Sequence, residues 1–126
     1  MTTDGFFSAV QHRDKPNMLL VRARSRADLE QLADRISINP SKILSTDNAD
    51  YPYRVLLPKE QWAEYLLSAT EDLTYPNFKS AVAKTNPERA YIYHDVWSAL
   101  FEIEREGQDA KEKDKMFWWQ EMESSS

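Results

Sequence analysis

Cysteine is absent from this chain of 126 residues, and glycine and histidine occur only twice each. Without cysteine there is no disulfide, no thiolate nucleophile and no cysteine-bound zinc, and a cytoplasmic location is expected. Two distant glycines, Gly5 and Gly107, cannot build either a G-x-G-x-x-G turn or a G-x-x-x-x-G-K-[ST] phosphate loop. His12 and His94 with scattered carboxylates match no H-x-x-x-H, facial-triad or EF-hand spacing, so neither metal nor cofactor is expected. No run approaches the ~20 apolar residues of a membrane span. The opening "MTTDGFFSAVQHRDK" lacks the basic region and sustained apolar run of a secretory signal, so none is expected.

What is present suits one folded domain with a real core. Apolar residues make up 41% of the chain and aromatics 12%, which excludes wholesale disorder. Charge is unevenly placed. Residues 1–58 hold eight basic and seven acidic side chains, a net of +1, whereas residues 59–126 hold eight and fourteen, a net of −6. The total of −5 opposes indiscriminate phosphate binding, because a polyanion would meet repulsion.

Hydropathy patterning predicts the elements. "GFFSAVQHR" and "MLLVRAR", joined by the turn formers of "DKPN", predict a β-hairpin. In its second strand Leu20, Arg22 and Arg24 share one face and Leu19, Val21 and Ala23 the other. "SRADLEQLADRI" predicts a helix capped by Ser25, with Leu29, Leu32, Ala33 and Ile36 as an apolar stripe ending before Pro40. "KILS" and "YPYRVLLP" predict a second strand pair, and Pro58 opens a helix with the stripe Trp62, Tyr65, Leu66, Ala69 and Leu73. A loose ββα echo links residues 6–36 and 43–73. A short helix is expected from Asn77 or Phe78, and Pro87 opens "PERAYIYHDVWSALFEIERE". Its apolar residues fill an arc of roughly 200°, predicting a central core helix closed by Gly107. The expected fold is α+β: a small, mainly antiparallel sheet of two hairpins in ββαββα order, covered on one face by helices. Residues 1–106 would form the domain, and 107–126 a charged linker and aromatic tail.

"HRD" before "MLLVRAR", then "DYPYRVLLPKE", "YPNFKSAV" and "YHDVW" with a following "AL", resemble a family of small hypothetical proteins of bacteria, phages and mobile elements. The resemblance covers residues 6–103. It implies a compact intracellular protein, compatible with a phage-borne origin, and supplies no catalytic residue.

Four groups of residues are candidates for a site. Arg22, Arg24 and Arg26, with Arg13 nearby, can point one way from a strand end and read phosphate or carboxylate. The plainer alternative is a solvated sheet face balanced by Asp28 and Asp34. His94 and Asp95, with Ser98 one turn on, suggest a catalytic triad. Neighbours on a helix diverge by about 100°, however, so Asp95 does not orient His94, and a partner-facing histidine is expected instead. Tyr75 and Lys79 flank "TYPNFK", either as a simple inter-helix turn or as part of a recognition surface beside the polar arc of the 87–106 helix. Phe117, Trp118 and Trp119 in the tail suit docking on the chain's own surface or a second copy, or a linear motif for another protein. No membrane partner is expected, because the tail's lysines are balanced by acids and make a poor anchor on anionic lipid. The expected function is non-enzymatic: a protein-interaction or regulatory factor with a protein partner, in which homo-oligomer formation is an option. An accessory nucleic-acid-binding protein using the arginine face is the alternative.

Overall fold

Period-two alternation in "MLLVRA" sends Leu19, Val21 and Ala23 to one side and Leu20 and Arg22 to the other. Strand β2 (Met18–Ala23) pairs antiparallel with β1 (Ser8–Gln11), placing Ser8 opposite Arg22 and Val10 opposite Leu20. The hairpin closes where the Met18 N–H donates to the Lys15 carbonyl at 3.0 Å and the His12 N–H to the Met18 carbonyl at 2.9 Å. The computed structural model describes residues 1–108, which belong to two units, Met1–Pro76 and a second beginning at Asn77.

Helix α1 (Arg26–Arg35) follows β2 directly. Ser25 occupies the N-cap position with an extended backbone, but its side chain makes no capping hydrogen bond. The helix ends in a Schellman turn: Ser37 donates to the Asp34 carbonyl at 3.3 Å and Ile38 to the Ala33 carbonyl at 2.9 Å. Ser37 takes the left-handed conformation, φ 57°, where glycine is the usual residue. Asp28 does not balance the arginine face. It is buried, and its Oδ2 accepts from the Phe6 N–H at 3.1 Å. Gly5 is what lets it fit, because a Cβ there would lie 2.3 Å from the Asp28 carboxyl carbon.

A 3-10 turn over Pro40–Lys42, capped by the Asn39 side chain, leads to β3 (Leu44–Ser45), β4 (Tyr53–Pro58) and α2 (Lys59–Glu71). The sheet order is β1-β2-β4-β3, every pair antiparallel, with β2 and β4 matched from Met18 opposite Pro58 to Ala23 opposite Tyr53. The ββα echo is therefore structural: two ββα units join through their inner strands. α+β with two hairpins in ββαββα order is the fold expected from the sequence.

One sheet face carries the core. Val21, Ala23, Val55 and Leu57 pack against Leu29, Leu32 and Ile36 of α1 and its C-cap, and against Tyr65 of α2. Phe7 meets the Tyr65 ring edge-on at 5.6 Å and Trp62 stacks on it at 5.4 Å. The expected α2 stripe is narrower than its sequence, since Leu66 and Leu73 are exposed while Tyr65 is fully buried.

In the second unit Asn77 caps α3 (Phe78–Thr85) by accepting from the Ser80 N–H, and Asn86 caps α4 (Pro87–Ala99) by accepting from the Arg89 N–H. Phe78 stacks on Tyr93 at 5.6 Å, beside buried Val82. After a turn at Leu100, residues 101–108 are again helical, so Gly107 does not end the helix. The long C-terminal helix is present, but its expected burial is not. Of the α4 residues Tyr93 alone is buried, while Ile92 is 56% exposed and Trp97 48%. The reason is coverage: α3, eight residues long, shields one side of a longer helix.

Candidate functional site

The outer sheet face, opposite the core, is built by the same alternation that builds the core. Cross-strand register sets two adjacent rows on it. One is apolar, with Val10 opposite Leu20 and Leu20 opposite Leu56. The other runs Ser8, Arg22, Arg54, Leu44. Successive side chains on one face of a strand are about 7 Å apart, so the two rows lie side by side. Neither α1 nor α2 covers this face, and Val10 and Leu44 stay exposed.

The arginine row is electrostatically incomplete. Arg22 and Arg54 sit directly opposite each other on β2 and β4, a like-charge pairing that destabilises a sheet. The Nε atoms of both are buried without a hydrogen-bond partner. Arg22 donates through Nη2 to Ser8 Oγ at 2.8 Å. Its guanidinium also lies 4.7 Å from the Tyr51 ring centroid, and that of Arg24 lies 4.9 Å from it, so one ring holds two cations beside the row. Among the described residues none of Arg13, Arg22, Arg24 and Arg54 takes part in an ion pair.

Arg26 does not belong to this group. It pairs with Glu30 at 2.9 Å, one turn along its own helix, and donates to the Pro40 carbonyl. Arg54 takes its place, and sequence reading missed it. The available signal was parity, since Arg54 and Leu56 alternate with the core residues Val55 and Leu57. Arg13 and Arg54 also border a cavity of about 520 Å³ with His12, Leu20, Leu44 and Leu56. His12 is fixed at its rim. Its Nδ1 accepts from the backbone N–H of Asp14 at 3.1 Å and of Lys15 at 3.2 Å, which leaves the proton of the neutral ring on Nε2.

The second unit gathers a different set. The Lys79 ammonium lies 4.2 Å from the Trp97 ring centroid, His94 stacks on the same tryptophan at 5.8 Å, and Phe101 meets it edge-on at 4.8 Å. Lys79 and His94 thus come together around Trp97, and both border a groove between α3 and α4 floored by Ser80, Ala83 and Ala90. Asp95 is exposed on α4, and Tyr75 is half-buried in the first unit. Phe117, Trp118 and Trp119 lie outside the described residues.

A third cluster is a clasp. Arg35 holds the Asp4 carboxylate through Nε at 2.7 Å and Nη2 at 3.1 Å, and it also pairs with Asp72. The Tyr65 hydroxyl donates to Asp4 Oδ2 and shares a hydrogen bond with the Thr2 hydroxyl, each at 2.8 Å. Burial pushes the Tyr65 phenol well above its ordinary range, and the hydrogen bond to Asp4 holds the Arg35 guanidinium more firmly protonated. Every strong group here is matched, so the cluster ties the amino-terminal segment to α1 and α2.

Comparison with protein-family models, curated protein sequences and solved structures finds no match. Among the described residues no group of three or more His, Asp or Glu side chains is placed to hold a metal ion, and no helix is long and apolar enough to cross a membrane.

Proposed function

We propose that this chain is a non-enzymatic protein-interaction factor whose long C-terminal helix docks on a helix of a protein partner. The observation that carries this reading is the exposed apolar seam of that helix. Ile92, Val96 and Ala99 fall at i, i+4 and i+7, and Ile103 follows four residues later, the spacing of a helix-packing seam. Ile92 and Ile103 are 56% and 61% exposed, and Leu100 is half exposed beside them. Soluble proteins seldom leave a contiguous apolar patch of this kind without a use for it. A partner's amphipathic helix laid along the seam would complete the burial that α3 leaves unfinished.

Affinity capture from the native cell tests the reading. The wild-type chain should retain a discrete protein, and the Ile92→Asp/Ile103→Asp variant should lose it by about tenfold or more. Both positions are exposed, so the variant keeps its helical signal. An identical set of proteins on wild type and variant would overturn the reading.

A further inference from the structure

We propose that the outer face of the sheet is a second docking surface, taking an acidic segment of another protein in which carboxylates stand beside apolar side chains. The inference is independent of the helix seam. Four arginines that form no ion pair among the described residues converge on this face in a chain whose net charge is −5. Two of them face each other across the central strand pair with buried, unpartnered Nε atoms. A carboxylate placed over that pair would relieve the like-charge contact and accept from the guanidinium Nη groups at the surface of the face. The buried Nε atoms mark how poorly the pair is satisfied by the chain itself. Arg13 and Arg54 extend the positive potential into the cavity, where the His12 Nε2–H offers one more donor.

The apolar row decides the class of partner. Val10, Leu20 and Leu56 run beside the arginines, and Leu44 closes the end of the arginine row. A peptide with apolar and acidic side chains in adjacent rows meets both. A nucleic acid strand meets only the charge, because Ser8, Val10, Leu20, Arg22, Arg54 and Leu56 include no aromatic ring on which a base can stack. Tyr51, at the edge, is already engaged by two guanidinium groups, and the His12 ring is tied to the turn by two backbone N–H groups.

Fluorescence anisotropy with a labelled short synthetic peptide of leucine and glutamate tests the proposal. At low salt the peptide should bind saturably. Affinity should fall about tenfold or more when Arg54 is changed to Gln, when glutamine replaces glutamate in the peptide, or when salt is raised. Amide chemical shifts of the wild-type protein give a second measurement that needs no variant: the peptide should move Val10, Leu20 and Leu56. The Ile92→Asp/Ile103→Asp variant should bind the peptide as wild type does, so failure of the helix-seam reading leaves this result intact. Absence of saturable binding at low salt, equal affinity in Arg54→Gln, or shifts confined to residues 87–108 would overturn the proposal. Binding of oligo-dT in place of the peptide would also overturn it and assign the face to nucleic acid.

Discussion

Tyr65 concentrates the chemistry of the core in one side chain: a fully buried ring whose hydroxyl serves Asp4 and Thr2. Because burial raises its phenol above the ordinary value, the folded protein keeps that proton while the unfolded chain releases it near pH ~10. The stabilising contribution is therefore complete below about pH 10 and declines as pH rises further. Urea midpoints measured on either side of that pH should fall in the wild type, and the fall should be shallower in Tyr65→Phe. Equal slopes would detach Tyr65 from the alkaline loss. Arg54 behaves in the opposite sense. With no ion-pair partner among the described residues and Arg22 opposite, Arg54→Gln should stabilise the free protein by about 0.5 kcal/mol at low salt, and the gain should shrink as salt screens the pair. Destabilisation in urea would contradict an unrelieved like-charge contact.

Ends of elements were legible in the sequence where a local group decides them. Asn77, Pro87 and the turn formers between β1 and β2 act on backbone within a few residues, and each stands where the sequence put it. The alternation that separates Val21 from Arg22 likewise needs no distant information. Three features escaped because they depend on remote neighbours. Asp28 is drawn inward by the Phe6 N–H and by the space that Gly5 leaves. Arg54 joins the site through a register that only strand pairing sets. The apolar arc of α4 records what can be buried, whereas its burial requires a neighbour that α3 supplies on one side only. Trp97→Ala should accordingly cost about 1 kcal/mol, not the roughly 3–5 kcal/mol of a buried aromatic truncation. A larger loss in a melt followed by helical signal would mean that Trp97 is packed more deeply than its exposure indicates. At the end of α1, Ser37→Gly should raise stability by about 0.5–1 kcal/mol, because glycine adopts the left-handed Schellman position without the Cβ penalty. An unchanged or lowered midpoint would place the ideal residue elsewhere in that turn.

Taken as a whole molecule, the chain divides its labour between two units. Among the described residues the first holds nearly all the fully buried apolar side chains and, on its other sheet face, the arginines that form no ion pair. Among the described residues the second has a small core of Val82 and Tyr93 with Phe78, and a helix with an exposed apolar seam. A core of that size is marginal for an isolated helical hairpin, and burial of the seam against a partner would add the apolar contact it lacks. Interaction through that helix is the central claim, and site-specific photocrosslinking in the native cell tests it most directly. A photoreactive phenylalanine analogue placed at Tyr91 or Ile103, both largely exposed, should give one discrete protein adduct, while the same probe at exposed Lys42 in the first unit should give none. Equal yields of no adduct, or of the same diffuse adducts, at all three positions would contradict it.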